Sequence, residues 1–169
     1  MSMKLLNEIA YEFRKALEVI SSKQLYGRLT IFKDFPNGCC GYTSDLLATY
    51  FIENGISGKR IQLLNAESKE EEYTHYWLMI DNRLFVDITA DQFSGKKYFE
   101  KYEPIPNCCI VPCYTYLYEC FDKQEIQYSR CFGIDSYNGD IPQKLQVVYD
   151  AAVKQIEKKC GGNGNYGIL

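Results

Sequence analysis

Two adjacent cysteines carry the side chains of this 169-residue chain that are best suited to covalent chemistry. Cys39 and Cys40 lie between two glycines at the start of an apolar helical pattern. A thiol at the beginning of a helix loses its proton readily, because the helix dipole and the free backbone N–H groups stabilise the thiolate. A thiolate attacks carbonyl carbons, and the same N–H groups can bind the oxyanion that then forms. The segment therefore predicts a nucleophilic cysteine.

The only histidine, His75, is the candidate general base, because a thiol nucleophile needs a group that takes up its proton. It lies in the β-rich run 73–80, and side chains alternate between the two faces of a strand. His75 is therefore expected on the same face as Trp77. The indole of Trp77 is expected either to line a substrate cleft or to pack in the core.

An aspartate on the next β-rich run, Asp87, is the candidate acid that orients the histidine. The run 84–89 follows residues 81–83, which predict a hairpin loop of three residues. In the register set by this loop, Trp77 opposes Asp87, and His75 becomes a diagonal neighbour of Asp87. A carboxylate in so apolar a run is costly to bury without a partner, and an imidazole N–H is a suitable one.

The pattern of apolar residues predicts the elements that position these groups. The predicted elements are helices over 3–22 and 40–55, strands over 60–64, 73–80, 84–89 and 110–121, and a helix over 145–156. Residues 65–72 predict a polar loop. This order of helix, helix, strands and helix favours an α+β fold with an antiparallel sheet over a doubly wound parallel one. We expect a single domain over 1–160 and a flexible tail over 161–169.

Composition narrows the classes of partner. The formal net charge of -3 disfavours nucleic acid as a partner. The sequence contains no apolar run of about 18 residues, which a membrane span requires. Its first twenty residues have charges spread through them, unlike the apolar core of a signal peptide. These features predict a cytoplasmic protein that does not bind membranes, and they leave secretion as an effector by a non-classical route open.

The chain has eight cysteines, and their spacing does not predict a metal site. It contains no pair of cysteines separated by two residues, and one histidine cannot supply a histidine pair. We therefore expect no metal and no cofactor, and in the absence of an export signal no disulfides. Five of the remaining cysteines are expected to be small buried residues and one to be exposed beside the tail: Cys108, Cys109, Cys113, Cys120 and Cys131, and Cys160.

Residues 34–93 resemble the transglutaminase-like branch of the papain-like cysteine protease superfamily. In that pattern a cysteine begins a helix, and a Gly-Ile pair ends it fifteen and sixteen positions later. Gly55-Ile56 stand in this register when it is counted from Cys40 but not from Cys39. The resemblance therefore favours Cys40 as the nucleophile, in a papain-like fold whose nucleophile helix packs on an antiparallel sheet.

The same family has a strand that begins His-x-Trp and a return strand with x-Asp-x-Thr. These match His75–Trp77 and Val86–Thr89. The resemblance implies that His75 acts as general base and acid and that Asp87 orients it. The hairpin is about three residues shorter than is usual in the family, which makes Asp91 an alternative acid.

The chain departs from the family pattern at the position of the second oxyanion donor. Papain-like proteases carry a glutamine six positions before the cysteine, and Asp34 stands there in this chain. Asn37, Gln92 and Trp77 are the candidate substrate or oxyanion contacts.

Together these residues predict a cysteine-dependent amide-bond hydrolase, of protease or glutamine deamidase type, that forms a thioester acyl-enzyme. A protein or peptide is the expected substrate. Two alternatives remain open: an acyl transferase of the transglutaminase type, and a catalytically inactive protein-binding module of the same fold. The sequence specifies neither the substrate nor the oligomeric state.

Overall fold

The computed structural model of the chain describes residues 3–68, 73–126 and 133–162. Within them the main elements are α1 (Met3–Ser22), α2 (Cys40–Glu53), β1 (Ile61–Ser68), β2 (Thr74–Ile80), β3 (Leu84–Asp87), β4 (Cys109–Pro112), β5 (Phe121–Ile126) and α3 (Ile141–Gly162). Short 3-10 helices connect several of these elements. The predicted α+β class and the order of helix, helix, strands and helix are confirmed.

The described strands form one antiparallel sheet in the order β4-β3-β2-β1-β5. The predicted hairpin register is confirmed where β2 and β3 pair, with Ile80 opposite Leu84 and Leu78 opposite Val86. Asp81 and Asn82 take left-handed backbone angles in the loop, with φ of 54° and 53°. Asp and Asn tolerate this region better than most residues do, so the loop suits its sequence.

The sheet is buried on both faces. The three helices cover one face through the first hydrophobic cluster, which includes Leu63, Leu78 and Val86. An aromatic cluster covers the other face, where Trp77 and Phe85 pack against side chains from residues 90–121. Consecutive residues of β2 therefore enter different cores, which explains why its sequence is apolar on both sides.

Both predicted N-terminal helices are confirmed. α1 buries an apolar stripe at helical spacing, formed by Leu6, Ile9, Ala10, Phe13, Leu17 and Ile20. α2 begins at Cys40 and ends at Glu53, after which Gly55 takes a φ of +85°. A left-handed residue after a helix favours glycine, as the sequence predicted.

Two predictions for the strands are wrong. β1 extends to Ser68, because it pairs with β2 on one side and β5 on the other, so half of the predicted loop 65–72 is strand. Residues 69–72 lie outside the described part. The predicted strand 110–121 is interrupted, because Tyr114 and Tyr116 take φ of 61° and 60°, which an extended strand does not allow.

The C-terminal helix is longer than predicted. α3 spans Ile141–Gly162 and includes the predicted segment 145–156. The predicted flexible tail begins inside this helix, since residues 161 and 162 belong to it, and its remainder from 163 lies outside the described residues. None of the helices in the described part of the chain combines the length and apolar character that crossing a bilayer requires.

The described cysteines are free thiols in the structure. Cys109 and Cys120 are buried, as predicted, whereas Cys108 and Cys113 are only partly buried. Cys131 and the side chain of Cys160 lie outside the described residues. No group of three metal-binding side chains is found in the part of the chain that the structure describes.

We expect Gly133→Ala to lower the free energy of unfolding by about 3 kcal/mol, because it combines a left-handed backbone with a steric clash. Gly133 has a φ of +62°, and a Cβ there would lie 2.1 Å from Thr49 Oγ1. Gly139→Ala is the matched control, since its φ is +71° but nothing lies within 4 Å of the added atom. Chemical denaturation measures both variants, and equal losses would contradict the close packing at Gly133.

Candidate active site

The structure brings the three predicted residues together. The Nε2 atom of His75 lies 2.6 Å from Oδ2 of Asp87, and both side chains are buried. The Cys40 thiol lies close enough to the His75 ring for each group to shift the pKa of the other. Since Nε2 faces the carboxylate, Nδ1 is the ring nitrogen that remains for the thiol.

The end of the β2–β3 ladder explains how the helix reaches the histidine. Pairing between the two strands stops at Leu78 and Val86, so the first part of β2 has β1 on one side only. The N-terminus of α2 approaches this free side: Ser44 Oγ donates to the Tyr76 carbonyl oxygen at 3.4 Å. The absence of a side chain at Gly41 permits the approach, because a Cβ there would already lie 3.6 Å from the Tyr76 ring.

Asp87 is held by four hydrogen bonds. Its Oδ1 accepts the backbone N–H and the hydroxyl of Thr89, at 2.8 and 2.9 Å. Its Oδ2 accepts the Tyr118 hydroxyl at 3.0 Å in addition to the His75 ring. Burial alone would raise the pKa of Asp87, but the charge of His75 and the hydrogen bonds from His75 and Thr89 lower it. The carboxylate is therefore ionised and receives the Nε2–H.

The electrostatics of the site favour a thiolate–imidazolium pair. Burial opposes a charge on His75, but Asp87 and Cys40 outweigh it and raise the pKa of the ring to about 9. Burial likewise opposes the thiolate of Cys40, yet the hydrogen bond and charge of His75 lower its pKa. The backbone hydrogen bond at Tyr76 acts in the same direction.

The two adjacent cysteines have different environments. Cys39 is 1% exposed, and its sulfur accepts the Thr43 hydroxyl at 3.5 Å. Burial raises the pKa of Cys39 to about 11, which makes it a protonated core residue at neutral pH. Cys40 is partly exposed and lies at a pocket. The geometry therefore supports Cys40 as the reactive thiol.

The candidate contact Gln92 lies at the site, and one of its amide hydrogens is already used. Its Nε2 is 3.1 Å from Nδ1 of His75 and donates to the Thr89 carbonyl oxygen at 2.9 Å. One amide hydrogen is therefore used by Thr89, and the other can be donated to Nδ1 only while that ring nitrogen carries no proton. Gln92 instead contacts the same ring nitrogen that serves Cys40.

The other two candidate contacts do not reach the reacting atoms. Asn37 is exposed, and its side-chain nitrogen donates to the Asp34 carbonyl oxygen at 3.2 Å. Trp77 is fully buried in the aromatic cluster, with its ring 5.5 Å from that of His75. Neither side chain lines the pocket at Cys40, since Asn37 bonds within its own turn and Trp77 packs in the core, which was the second alternative for it. Their role as substrate or oxyanion contacts stays a prediction.

Backbone N–H groups at the start of α2 can bind an oxyanion. The first bond of the helix runs from the Thr43 N–H to the Cys39 carbonyl oxygen at 2.9 Å. The N–H groups of Cys40, Gly41 and Tyr42 precede it and have no partner within the helix. They lie beside the Cys40 thiol because they belong to the same turn.

The alternative acid, Asp91, pairs with Arg14 instead of His75. Two guanidinium nitrogens of Arg14 bind its two carboxylate oxygens at 2.9 and 2.8 Å. Arg14 also donates to the Ile88 carbonyl oxygen and lies over the Phe35 ring, 4.4 Å from its centre. This buried arginine ties α1 to the segment after Asp87 and to the loop before Cys40.

Sequence reasoning missed Arg14 and Tyr118. Arg14 falls on the apolar face of α1, next to Phe13. A charged residue at a position that the helical pattern assigns to the core is the one sequence signal that it needs a buried partner. Tyr118 belongs to a segment predicted as strand, and its approach to Asp87 depends on a turn that the sequence pattern did not show.

A pocket of about 470 Å³ opens at Cys40. Tyr42, Tyr76 and Tyr137 contribute to its walls, together with Leu63, Thr74 and Gln92. This pocket gives a substrate access to the sulfur at the end of the otherwise buried Cys40–His75–Asp87 arrangement.

Comparison of the chain with protein-family models, with curated proteins and with solved structures gives no match. The family that residues 34–93 resemble therefore stays a prediction, and the geometry of the site is what supports a function.

Proposed function

We propose that the chain is a cysteine-dependent amide-bond hydrolase that works through a thioester acyl-enzyme, in a fold of the transglutaminase-like branch of the papain-like superfamily. The observation that carries the proposal is the pocket thiol of Cys40, whose pKa is lowered by the buried His75–Asp87 pair beside it. A peptide or protein is the proposed substrate.

In the first half-reaction the Cys40 thiolate attacks the carbonyl carbon and forms a C–S bond. The carbonyl electron pair moves onto oxygen, and the N–H groups at the start of α2 bind this oxyanion. When the carbonyl re-forms, the C–N bond breaks, and the departing nitrogen takes a proton from Nδ1 of His75.

In the second half-reaction water replaces the amine. His75, now neutral, takes a proton from the water as the oxygen attacks the thioester carbon. The C–S bond breaks, the carboxylic acid leaves, and the thiolate–imidazolium pair is restored. Asp87 keeps Nε2 protonated throughout, so that Nδ1 is the nitrogen that exchanges protons.

We expect p-nitrophenyl acetate to acetylate Cys40 with a burst of p-nitrophenol, because a thiolate beside backbone N–H groups that can bind an oxyanion attacks activated esters. Intact-protein mass spectrometry follows the acetyl adduct and its loss with time. Cys40→Ala should abolish the burst, and Cys39→Ala, the matched control, should retain it. A burst that persists in Cys40→Ala would contradict the assignment of the nucleophile.

The same experiment separates the proposed hydrolase from its alternatives. Adding methylamine diverts the acetyl group to an amide only if the acyl-enzyme favours an amine acceptor, as a transglutaminase-type enzyme does. Loss of the adduct to water at an unchanged rate supports hydrolysis. The absence of any adduct on Cys40 would support an inactive binding module.

A further inference from the structure

The pocket at Cys40 is aromatic and uncharged. Of the described residues that line it, none besides the thiol can carry a charge near neutral pH. Tyrosine rings at Tyr42, Tyr76 and Tyr137 dominate the wall, and Leu63 adds an aliphatic surface that is only 4% exposed. A charged group that entered would lose hydration without gaining an opposite charge, which is unfavourable.

Two of the rings form one continuous surface. The ring centres of Tyr42 and Tyr137 lie 5.4 Å apart with an angle of 52° between their planes. The Tyr137 hydroxyl donates to Oδ2 of Asp45 at 2.7 Å, and Asp45 is 1% exposed. This buried anchor on α2 fixes the Tyr137 ring before any ligand arrives, so binding does not have to order it.

The segment that carries Tyr137 is itself locked onto α2. The Ile134 N–H donates to Thr49 Oγ1 at 3.1 Å, and Gly133 approaches so closely that a Cβ would collide with the same oxygen. The third ring, Tyr76, packs against Gly41 next to the thiol. The aromatic wall is therefore built from three separate segments that converge on Cys40.

We propose that this wall selects the acyl part of the substrate: Tyr42, Tyr76 and Tyr137 bind an uncharged aromatic or aliphatic side chain next to the carbonyl that Cys40 attacks. The inference rests on the proposed function and deepens it, since it names the substrate class. Aromatic rings bury large apolar areas and pack favourably with other rings, whereas glutamate and lysine side chains find no counter-charge there.

Amino-acid chloromethyl ketones test this selectivity. The Cys40 sulfur displaces chloride from the reagent, so a C–S bond forms and chloride leaves. N-acetylated reagents derived from Phe, Leu, Gln, Glu and Lys are compared on the Cys39→Ala protein, with each second-order rate divided by the rate for iodoacetamide. We expect the Phe and Leu reagents to exceed the Glu and Lys reagents about tenfold in this ratio. Equal ratios, or a faster reaction of the Gln or a charged reagent, would overturn the proposal.

Variants of the wall localise the effect. Tyr137→Ala should reduce the advantage of the Phe reagent about fivefold, by removing ring contacts. Tyr137→Phe keeps the ring and should retain most of the advantage. Tyr11→Ala is the control, because Tyr11 lies on α1, is 46% exposed and does not line the pocket. Tyr42→Leu provides a second test if Tyr137→Ala fails to fold, and an undiminished advantage in the folded variant contradicts the proposal.

The iodoacetamide reaction keeps the two proposals distinguishable. This small reagent needs the thiolate but not the aromatic wall. If its dependence on pH shows an ordinary thiol at Cys40, the proposed function fails. If it shows a thiol of lowered pKa while the chloromethyl ketones react without preference, only the substrate class is wrong.

Discussion

Replacing His75 by glutamine is expected to slow the alkylation of Cys40 by up to about a hundredfold at pH 6.5, because only about 1% of an ordinary thiol with a pKa of ~8.5 is ionised at that pH. In the native protein the hydrogen bond and charge of His75 lower the pKa of Cys40 against the effect of burial. Glutamine can still donate a hydrogen bond to Asp87 but cannot become a cation. The measurement is site-specific labelling by iodoacetamide in the Cys39→Ala background.

Glutamine is chosen because it keeps a hydrogen-bond donor for the buried Asp87, and the rate can be interpreted only if the variant folds. An alanine at position 75 would leave the buried Asp87 with Thr89 and Tyr118 as its only described hydrogen-bond partners. Circular dichroism and thermal unfolding confirm that the variant is folded before its rate is interpreted. A folded His75→Gln protein whose Cys40 reacts as fast as the native thiol would show that the two residues are not coupled.

Replacing Asp87 by asparagine is expected to slow the reaction with p-nitrophenyl acetate about a thousandfold, because an amide favours the wrong tautomer of the histidine. The Asn side-chain nitrogen can face Nε2 of His75 only if that nitrogen is an acceptor, and the proton then moves to Nδ1. An Nδ1–H cannot take the proton of Cys40. The release of p-nitrophenol in native and variant protein gives the ratio of rates.

Asp91→Asn is the matched control for this change. Asp91 is the other acid of the same segment, but its carboxylate binds Arg14 rather than His75. The variant should unfold at lower temperature, since it weakens a partly buried ion pair, while its rate with p-nitrophenyl acetate stays within a few-fold of native. A larger loss of rate in Asp91→Asn than in Asp87→Asn would exchange the roles of the two acids.

The Asp87→Asn variant should also change how the free energy of unfolding depends on pH. The pKa of His75 is raised to about 9 in the folded protein, so its contribution is full below the unfolded value of about 6.5 and is lost as pH rises towards 9. The pKa of Asp87 is lowered, so its contribution is present above about 3.9 and is lost as pH falls below that value. Asp87→Asn should flatten both slopes in denaturation curves measured across this range.

The sequence was informative where spacing fixes geometry. A three-residue loop between two apolar runs determines the hairpin register, and that register places Asp87 diagonally across from His75. The change from a turn to a helical pattern likewise placed Cys40 in the first turn of α2. These relations are local, so they do not depend on how the elements later pack.

The missed features depend on contacts between distant segments. Arg14 on α1 forms an ion pair with Asp91, so Asp87 is the acid that binds His75. Alternation predicted that Trp77 shares a face with His75, but only packing shows that an aromatic cluster covers this face. Tyr137 reaches the pocket through a segment whose docking on α2 no periodicity reveals.

The most direct test of the central claim is the dependence on pH of iodoacetamide labelling at Cys40 in the Cys39→Ala protein. The account predicts a rate that is already high below neutrality, because His75 lowers the pKa of Cys40, and a further change near pH 9, where the imidazolium loses its proton. A single rise centred at the ordinary thiol pKa of about 8.5 or above would contradict a sulfur paired with the histidine.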